Sequence, residues 1–100
     1  MTMMELKGSD RKKLRGLAHG LDPLIRIGKQ GLTGTVIQEI GQALEFHELI
    51  KVRFLEFKDR KEDLVAEIGR QCECCAVGMT GHTAIFYRQN PDPEKRKVRW

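Results

Sequence analysis

Segments with helical and with strand periodicity alternate along this chain of 100 residues, and that alternation restricts the fold more than any other feature. Apolar residues recur at helical spacing in residues 9–19 and 34–46 and again from about Asp59 onward, which predicts three helices. Ser9 is a suitable N-cap for the first helix. Asp59 followed by Glu62 predicts a capping box at the start of the third.

Four segments between and after these helices have the character of strands. They are residues 24–27, 48–57, 74–79 and 82–87. The segment 78–81, which begins and ends with glycine, predicts a hairpin between the last two strands. The order is therefore α-β-α-β-α-β-β, which predicts one α/β domain with a mixed four-stranded sheet and helices packed on it. The first two strands are joined through a helix, so they are expected to be parallel if they are neighbours.

The charge of the chain is unevenly distributed, although the net charge is only +4. Residues 1–31 hold seven Lys and Arg against three acids, residues 32–87 hold six against nine, and residues 88–100 hold five against two. Basic ends around an acidic middle fit a surface that binds a polyanion. The same sorting also fits a solvated helix face and a solvated tail, and the charge pattern alone favours neither.

The apolar segments are too short for a membrane span of roughly 20 residues. The first residues lack the apolar core of a secretion signal. Three cysteines are an odd number for a disulfide framework. We therefore expect a cytoplasmic protein with no membrane partner.

The segment Gly28-Lys29-Gln30-Gly31 links the first strand to a helix that Thr33 is placed to cap. Glycines allow another backbone to come close to such a turn, and free N–H groups at a helix start favour an anion. Lys29 adds a positive charge, and Gln30 is able to donate a hydrogen bond to a phosphate or a 2′-hydroxyl. The four residues are a candidate nucleic-acid site; the alternative is an ordinary tight turn.

Two further groups of basic residues are candidates to extend this site. The first lies on the exposed side of the first helix and comprises Arg11, Lys12, Arg15 and His19. The second lies in residues 89–100, a basic segment without periodicity that predicts a flexible tail, and comprises Lys95, Arg96 and Lys97, with Trp100 able to stack on a base. For each residue the alternative is a solvated charge.

Two alternatives come from other classes. One is a protein-interaction module that uses an exposed sheet edge, and the other is a thiol or metal-binding protein built on Cys72, Cys74, Cys75 and His82. Structural zinc sites usually separate paired cysteines by two to four residues, and here the gaps are one and zero, so no metal or cofactor is expected. The chain also lacks a phosphate loop or a nucleophile motif. It is therefore predicted to be a binding protein with no small-molecule substrate, and not an enzyme.

Five segments of this chain stand in the order found in the CRM/YhbY family of small RNA-binding domains, which the chain resembles. They are residues 14–19, 22–23, 28–33, 47–52 and 81–88, within a resemblance that covers residues 9–88. Gly34 and the stretch of residues 72–75 depart from the family pattern. Residues 1–88 are accordingly predicted to form a CRM-like domain, followed by the tail at residues 89–100.

The resemblance implies a fold similar to the C-terminal domain of bacterial translation initiation factor three. It also implies RNA binding through the turn at residues 28–31. Single-domain bacterial members associate with precursor large ribosomal subunits, so the implied partner is ribosomal RNA in a 50S precursor. A general binder of single-stranded or messenger RNA would need the same turn and charges, and that alternative stays open.

Overall fold

The computed structural model describes residues 6–100 and confirms the predicted order of elements. The helices are α1 (Gly8–Ala18), α2 (Gly34–His47) and α3 (Lys61–Cys72). The strands are β1 (Ile25–Ile27), β2 (Leu49–Phe54), β3 (Cys75–Thr80) and β4 (Thr83–Tyr87). Short 3₁₀ turns lie at Lys58–Arg60 and Pro93–Lys95.

The four strands form one mixed sheet in the order β1-β2-β4-β3. β1 and β2 are parallel neighbours joined through α2, as predicted, and the other pairs are antiparallel. Ile27 lies opposite Phe54, and Arg53 lies opposite Thr83. The carboxyl ends of β1 and β2 therefore lie at the same end of the sheet as the β3–β4 turn. We call this end, where the strands stop, the turn edge.

Each face of the sheet carries its own apolar core, because inward side chains alternate along the strands. On one face α2 and α3 cover the larger core, which contains Ile27, Ile40, Val52, Phe54, Ile68 and Phe86. On the other face α1 covers a smaller core of Leu14, Ala18, Leu49, Val77, Ile85 and Tyr87. α1 packs chiefly on β3, which is the strand farthest from β1. Much of the β1–β2 half of this second face is therefore left to solvent.

The segment at residues 89–100, predicted from sequence as a flexible tail, lies against the domain in the structure. The carboxylate of Glu48, which is fully buried, accepts backbone N–H bonds from Asn90, Lys97 and Val98 at 2.5, 2.6 and 3.0 Å. The indole of Trp100 donates to Asp10 at 2.9 Å. These partners are distant in sequence, and for that reason no periodic pattern in the segment could indicate them.

No helix within residues 6–100 combines the length and the apolar character that a membrane crossing requires.

Candidate nucleic-acid interface

The turn at residues 28–31 is closed by a hydrogen bond of 3.0 Å from the amide of Gly31 to the carbonyl of Gly28. β1 ends directly before it, and the two central residues, Lys29 and Gln30, are exposed. The carbonyl of Ile27 accepts the amides of residues 55 and 56, so the start of the turn is fixed to the segment after β2. The turn is thus a rigid projection with its polar side chains in solvent.

The two glycines of this turn serve different purposes. Gly31 has φ +69°, a left-handed conformation that costs a residue with a side chain roughly 1–2 kcal/mol. Gly28 has no positive φ, and a Cβ built on it would meet no atom within 4 Å. The fold therefore requires glycine at residue 31 but not at residue 28. The open space over Gly28 is where a ligand backbone can approach.

The start of α2 adds backbone donors to the same place. The hydroxyl of Thr33 accepts the amide of Val36 at 3.1 Å, which confirms Thr33 as the N-cap. Among residues 6–100 no hydrogen-bond acceptor is placed on the amides of Gly34 and Thr35, as is usual for the first turn of a helix. These amides and the positive end of the helix dipole favour an anion beside the turn.

A group of basic side chains occupies the face of the sheet that α1 leaves open, and we call it the cationic face. Arg26 and Arg53 are direct neighbours across β1 and β2, on the side opposite the larger core. Lys51, two residues earlier on β2, donates to the carbonyl of Leu21 at 2.9 Å. The cationic face comprises Lys12, Arg15, His19, Arg26, Lys51 and Arg53.

The groove at this face is lined by basic and neutral residues. A groove between α1 and the sheet is lined by ten residues, none of them acidic: Lys12, Arg15, Gly16, His19, Pro23, Lys51, Arg53, Thr80, Thr83 and Ile85. α1 carries four basic residues and one Asp, whereas α2, on the opposite face, carries two Glu and no Lys or Arg. Within residues 6–100 neither Arg26 nor Arg53 forms an ion pair. Like charges placed opposite each other in a sheet are destabilising, so this pair suits an anionic ligand.

Two of the predicted site residues on α1 have a structural role. Arg11 donates to the carbonyl of Ala76 at 2.7 Å, and Arg15 donates to the carbonyl of Val77 at 2.8 Å. Both carbonyls belong to the edge strand β3, at a shift of its register between Ala76 and Gly78. The guanidinium groups thus satisfy edge carbonyls, and Arg15 retains its place beside the groove.

The structure separates the predicted basic residues of the tail from the turn. Lys97 lies over the ring of Phe46, with Nζ 3.6 Å from the ring centroid, and Arg96 donates to the carbonyl of Asn90. Lys95 and Arg96 lie in the same region, at the start of β2. The turn at residues 28–31 lies at the opposite end of the sheet, beyond the carboxyl end of β1. The six-residue strand β2 separates the two places by roughly 17 Å. The two groups form separate basic regions.

Several cations of this interface were not singled out from the sequence. Arg26, Lys51 and Arg53 alternate with buried apolar residues in β1 and β2, which indicates an outward face but not a shared one. Lys61 donates to the carbonyl of Gly81 at 2.8 Å and lies 3.2 Å from Nδ1 of His82. The pairing of β1 with β2 brings Arg26, Lys51 and Arg53 onto one face, and the packing of α3 brings Lys61 to the β3–β4 turn. Neither contact can be read from a single sequence.

The cysteines are placed for packing. Cys72 and Cys74 are buried in the larger core, while Cys75 packs at the smaller one, so residues 74 and 75 face opposite sides of the sheet. Burial raises the pKa of the Cys74 thiol to about 12, which disfavours the reactive thiolate. Within residues 6–100 no cluster of three or more His, Cys, Asp or Glu side chains is arranged to hold a metal ion.

The structure is a small α/β domain with one mixed sheet, in which a glycine-bracketed turn stands beside a row of basic side chains. Small nucleic-acid-binding domains present surfaces of this kind. The model of the CRS1/YhbY (CRM) domain matches residues 6–88. The chain belongs to this family, as the sequence resemblance predicted.

Relatives agree with this assignment. The chain is 36% identical over 93 residues to probable RNA-binding protein PA4753 of Pseudomonas aeruginosa, covering 92% of this chain and 89% of that one. It is 35% identical over 91 residues to an RNA-binding protein of Haemophilus influenzae, covering 90% and 92%. These relatives are named as RNA-binding proteins and not as enzymes, in agreement with the prediction that the chain is not an enzyme.

The fold agrees with a solved structure as well. The solution structure of the Staphylococcus aureus protein SAV1595 is similar with a TM-score of 0.79 at 31% identity. The alignment covers 95% of this chain and all of that one. The single-domain α/β architecture predicted from the sequence is thereby confirmed.

Proposed function

We propose that this protein binds RNA at the turn edge and along the cationic face, without chemistry. The observation that carries the proposal is the placement of the turn at residues 28–31 next to Arg26 and Arg53, beside a groove whose lining contains no acidic residue. Phosphates would contact Lys29, the amides at the start of α2 and the cationic face. Such contacts set affinity and position the ligand without specifying its sequence.

The open approach to Gly28 supports a role for the turn itself. A sugar–phosphate backbone needs close access to main-chain donors, and the space over Gly28 provides that access without any movement of the domain. Gly31 holds the conformation that exposes Lys29 and Gln30. The turn therefore supplies shape, and the cationic face supplies the electrostatic attraction.

We further propose that the partner is ribosomal RNA in a precursor of the large ribosomal subunit, in the cytoplasm. The resemblance to single-domain bacterial CRM proteins supports this partner, and structured ribosomal RNA offers the dense phosphates that the cationic face suits. A general binder of single-stranded RNA is the second candidate. The buried positions of Cys72 and Cys74 do not favour thiol or metal chemistry.

Co-sedimentation with precursor large subunits tests both the partner and the turn. We expect the wild-type protein to sediment with the precursor and Gly28→Asp to lose roughly tenfold in affinity, because a carboxylate fills the approach and repels phosphate. The matched control is Gly41→Asp, the same change on α2, where a Cβ also meets no atom within 4 Å. An equal loss of affinity in both variants would show that the turn is not part of the RNA-binding site. Wild-type protein found only with other RNAs would favour the second candidate.

His82 provides a test based on pH. Burial first, and then the charges of Lys61, Lys58 and Arg53, lower the pKa of its imidazole below the ordinary value. A bound phosphate favours the charged imidazolium, so we expect RNA to raise that pKa. At pH values between the pKa of His82 in the free protein and its pKa in the complex, RNA binding is accompanied by proton uptake. The affinity for RNA therefore increases as the pH falls through that range. NMR titration of the His82 ring measures this; an unchanged pKa at saturating RNA would place the phosphate elsewhere.

A further inference from the structure

Phe57 is an exposed aromatic residue in an unusual backbone conformation at the turn edge. It has φ 57° and ψ 35°, the left-handed region, which is uncommon for a bulky side chain. Its side chain is 38% exposed and belongs to neither apolar core. The surrounding structure therefore holds an aromatic ring at the surface in a conformation that the residue does not favour by itself.

Hydrogen bonds on both sides fix this conformation. The carbonyl of Ile27 accepts the amides of Leu55 and Glu56 at 2.9 and 3.3 Å, so the chain before Phe57 is held against the end of β1. The carbonyl of Phe57 accepts the amide of Arg60 at 2.9 Å, which begins the 3₁₀ turn. The position of the ring thus depends on the same strand end that fixes the turn at residues 28–31.

The ring lies directly beside that turn. A Cβ built on Gly31 would be 3.5 Å from Cε2 and 3.8 Å from Cζ of Phe57, which is van der Waals contact. The next residue along the chain is Lys58, and Lys29 is exposed in the turn. An aromatic ring therefore lies against Gly31 of the turn, and basic residues occur both in the turn and next to the ring along the chain.

We propose that Phe57 is a stacking platform for an unpaired base of the RNA strand whose backbone lies on the turn. The inference rests on the proposed RNA-binding function and gives it a substrate class. Exposed aromatic rings beside cationic grooves bind bases through stacking, which tolerates any base because each has a π-face. Bases inside a duplex are already stacked on both sides. The site therefore takes single-stranded or looped-out nucleotides at this position.

A purely structural role for Phe57, as packing for Gly31, makes a different prediction. Packing needs an apolar side chain of similar size, whereas stacking needs an aromatic ring. The matched variants are Phe57→Leu, which keeps an apolar side chain, and Phe57→Tyr, which keeps the ring. Thermal unfolding of both variants establishes that each domain is folded before binding is compared.

The binding test uses a single-stranded oligouridine and an abasic ribose-phosphate oligomer of the same length. We expect Phe57→Leu to bind oligouridine roughly tenfold more weakly than wild type, and Phe57→Tyr to bind within about twofold. Wild type and Phe57→Leu should bind the abasic oligomer equally, because no base is present to stack. An equal loss on both ligands, or no loss on oligouridine, overturns the proposal.

A spectroscopic test separates stacking from an indirect effect on the turn. In a Trp100→Phe background, Phe57→Trp carries a single indole at this position, and stacking on a base should quench its emission when oligouridine saturates the site. Unchanged emission at saturation overturns the proposal while leaving RNA binding intact. Failure of the wild-type protein to bind any RNA overturns the proposed function and this inference together.

Discussion

Arg53→Glu is expected to weaken RNA binding roughly 100-fold while leaving the fold as stable as the wild type or more so. The new carboxylate lies opposite Arg26 across β1 and β2, so it pairs with that guanidinium and withdraws both charges from the ligand. The loss of two charge-assisted hydrogen bonds to RNA, each contributing about 1.5 kcal/mol to the binding free energy, accounts for a loss of affinity of roughly 100-fold. The new cross-strand pair stabilises the sheet by roughly 0.2–1 kcal/mol. The midpoint of thermal unfolding should therefore stay the same or rise, while the affinity measured by RNA titration falls.

The salt dependence of Arg53→Glu gives a second measure of the same contacts. Each phosphate contact that is lost reduces the slope of log affinity against log salt by about 0.9, so the slope should become less steep by about 2. The control is Arg70→Glu, which changes the net charge equally but lies on α3, where Arg70 is paired with Glu67. Equal weakening by the two variants would show that net charge, and not the cationic face, governs binding.

Glu48→Gln is expected to lower the free energy of unfolding by about 3 kcal/mol, roughly 15 °C in the midpoint for a domain of this size. The carboxylate is fully buried and accepts three backbone N–H groups from residues 90, 97 and 98. Lys97 and Val98 donate to one oxygen of the carboxylate and Asn90 to the other. An amide has one acceptor oxygen, so its NH₂ group faces and repels at least one of these donors. The segment at residues 89–100 should then leave the domain, and Trp100 should lose its edge-on contact with Tyr87.

Asp10→Asn is the matched control for Glu48→Gln. It makes the same carboxylate-to-amide change at the other anchor of the segment, where the indole of Trp100 donates to an exposed oxygen. Hydrogen exchange and Trp100 fluorescence should show release of residues 89–100 in Glu48→Gln and only local change in Asp10→Asn. If the two variants lose the same small amount of stability, the buried carboxylate does not anchor the segment.

Periodicity predicted the elements because side chains of the two cores repeat at 3.6 or 2 residues along the chain. The observed starts of the helices differ from the predicted ones where polar contacts determine them. α1 begins at Gly8, and not after a cap at Ser9, because Asp10 accepts the amide of Lys7. α3 begins at Lys61 behind a 3₁₀ turn, without the predicted cap from Asp59.

The β3–β4 hairpin turn was also placed too early from the sequence. It lies at residues 81–82, since Gly81 supplies the positive φ that a two-residue turn needs. Gly78, taken for part of the turn, lies within β3 instead, where a Cβ would overlap the side chain of Arg15. That close crossing of a helix side chain is a tertiary contact that local sequence does not indicate.

The turn at residues 28–31 was found from the sequence because it is local, and the structure leaves its central side chains exposed. The rest of the interface is non-local. Arg26 and Arg53 are 27 positions apart and become neighbours only through the parallel pairing of β1 with β2. Arg11 shows the converse, because a basic residue that looks available in the sequence is held by a strand carbonyl 65 positions away.

The bond between the indole of Trp100 and Asp10 joins the last residue of the chain to its first helix. Trp100 and α1 therefore meet beside Tyr87, away from the turn edge. The emission of Trp100 therefore reports on the packing of residues 89–100 against α1 and β4, at the end of the sheet opposite the turn at residues 28–31.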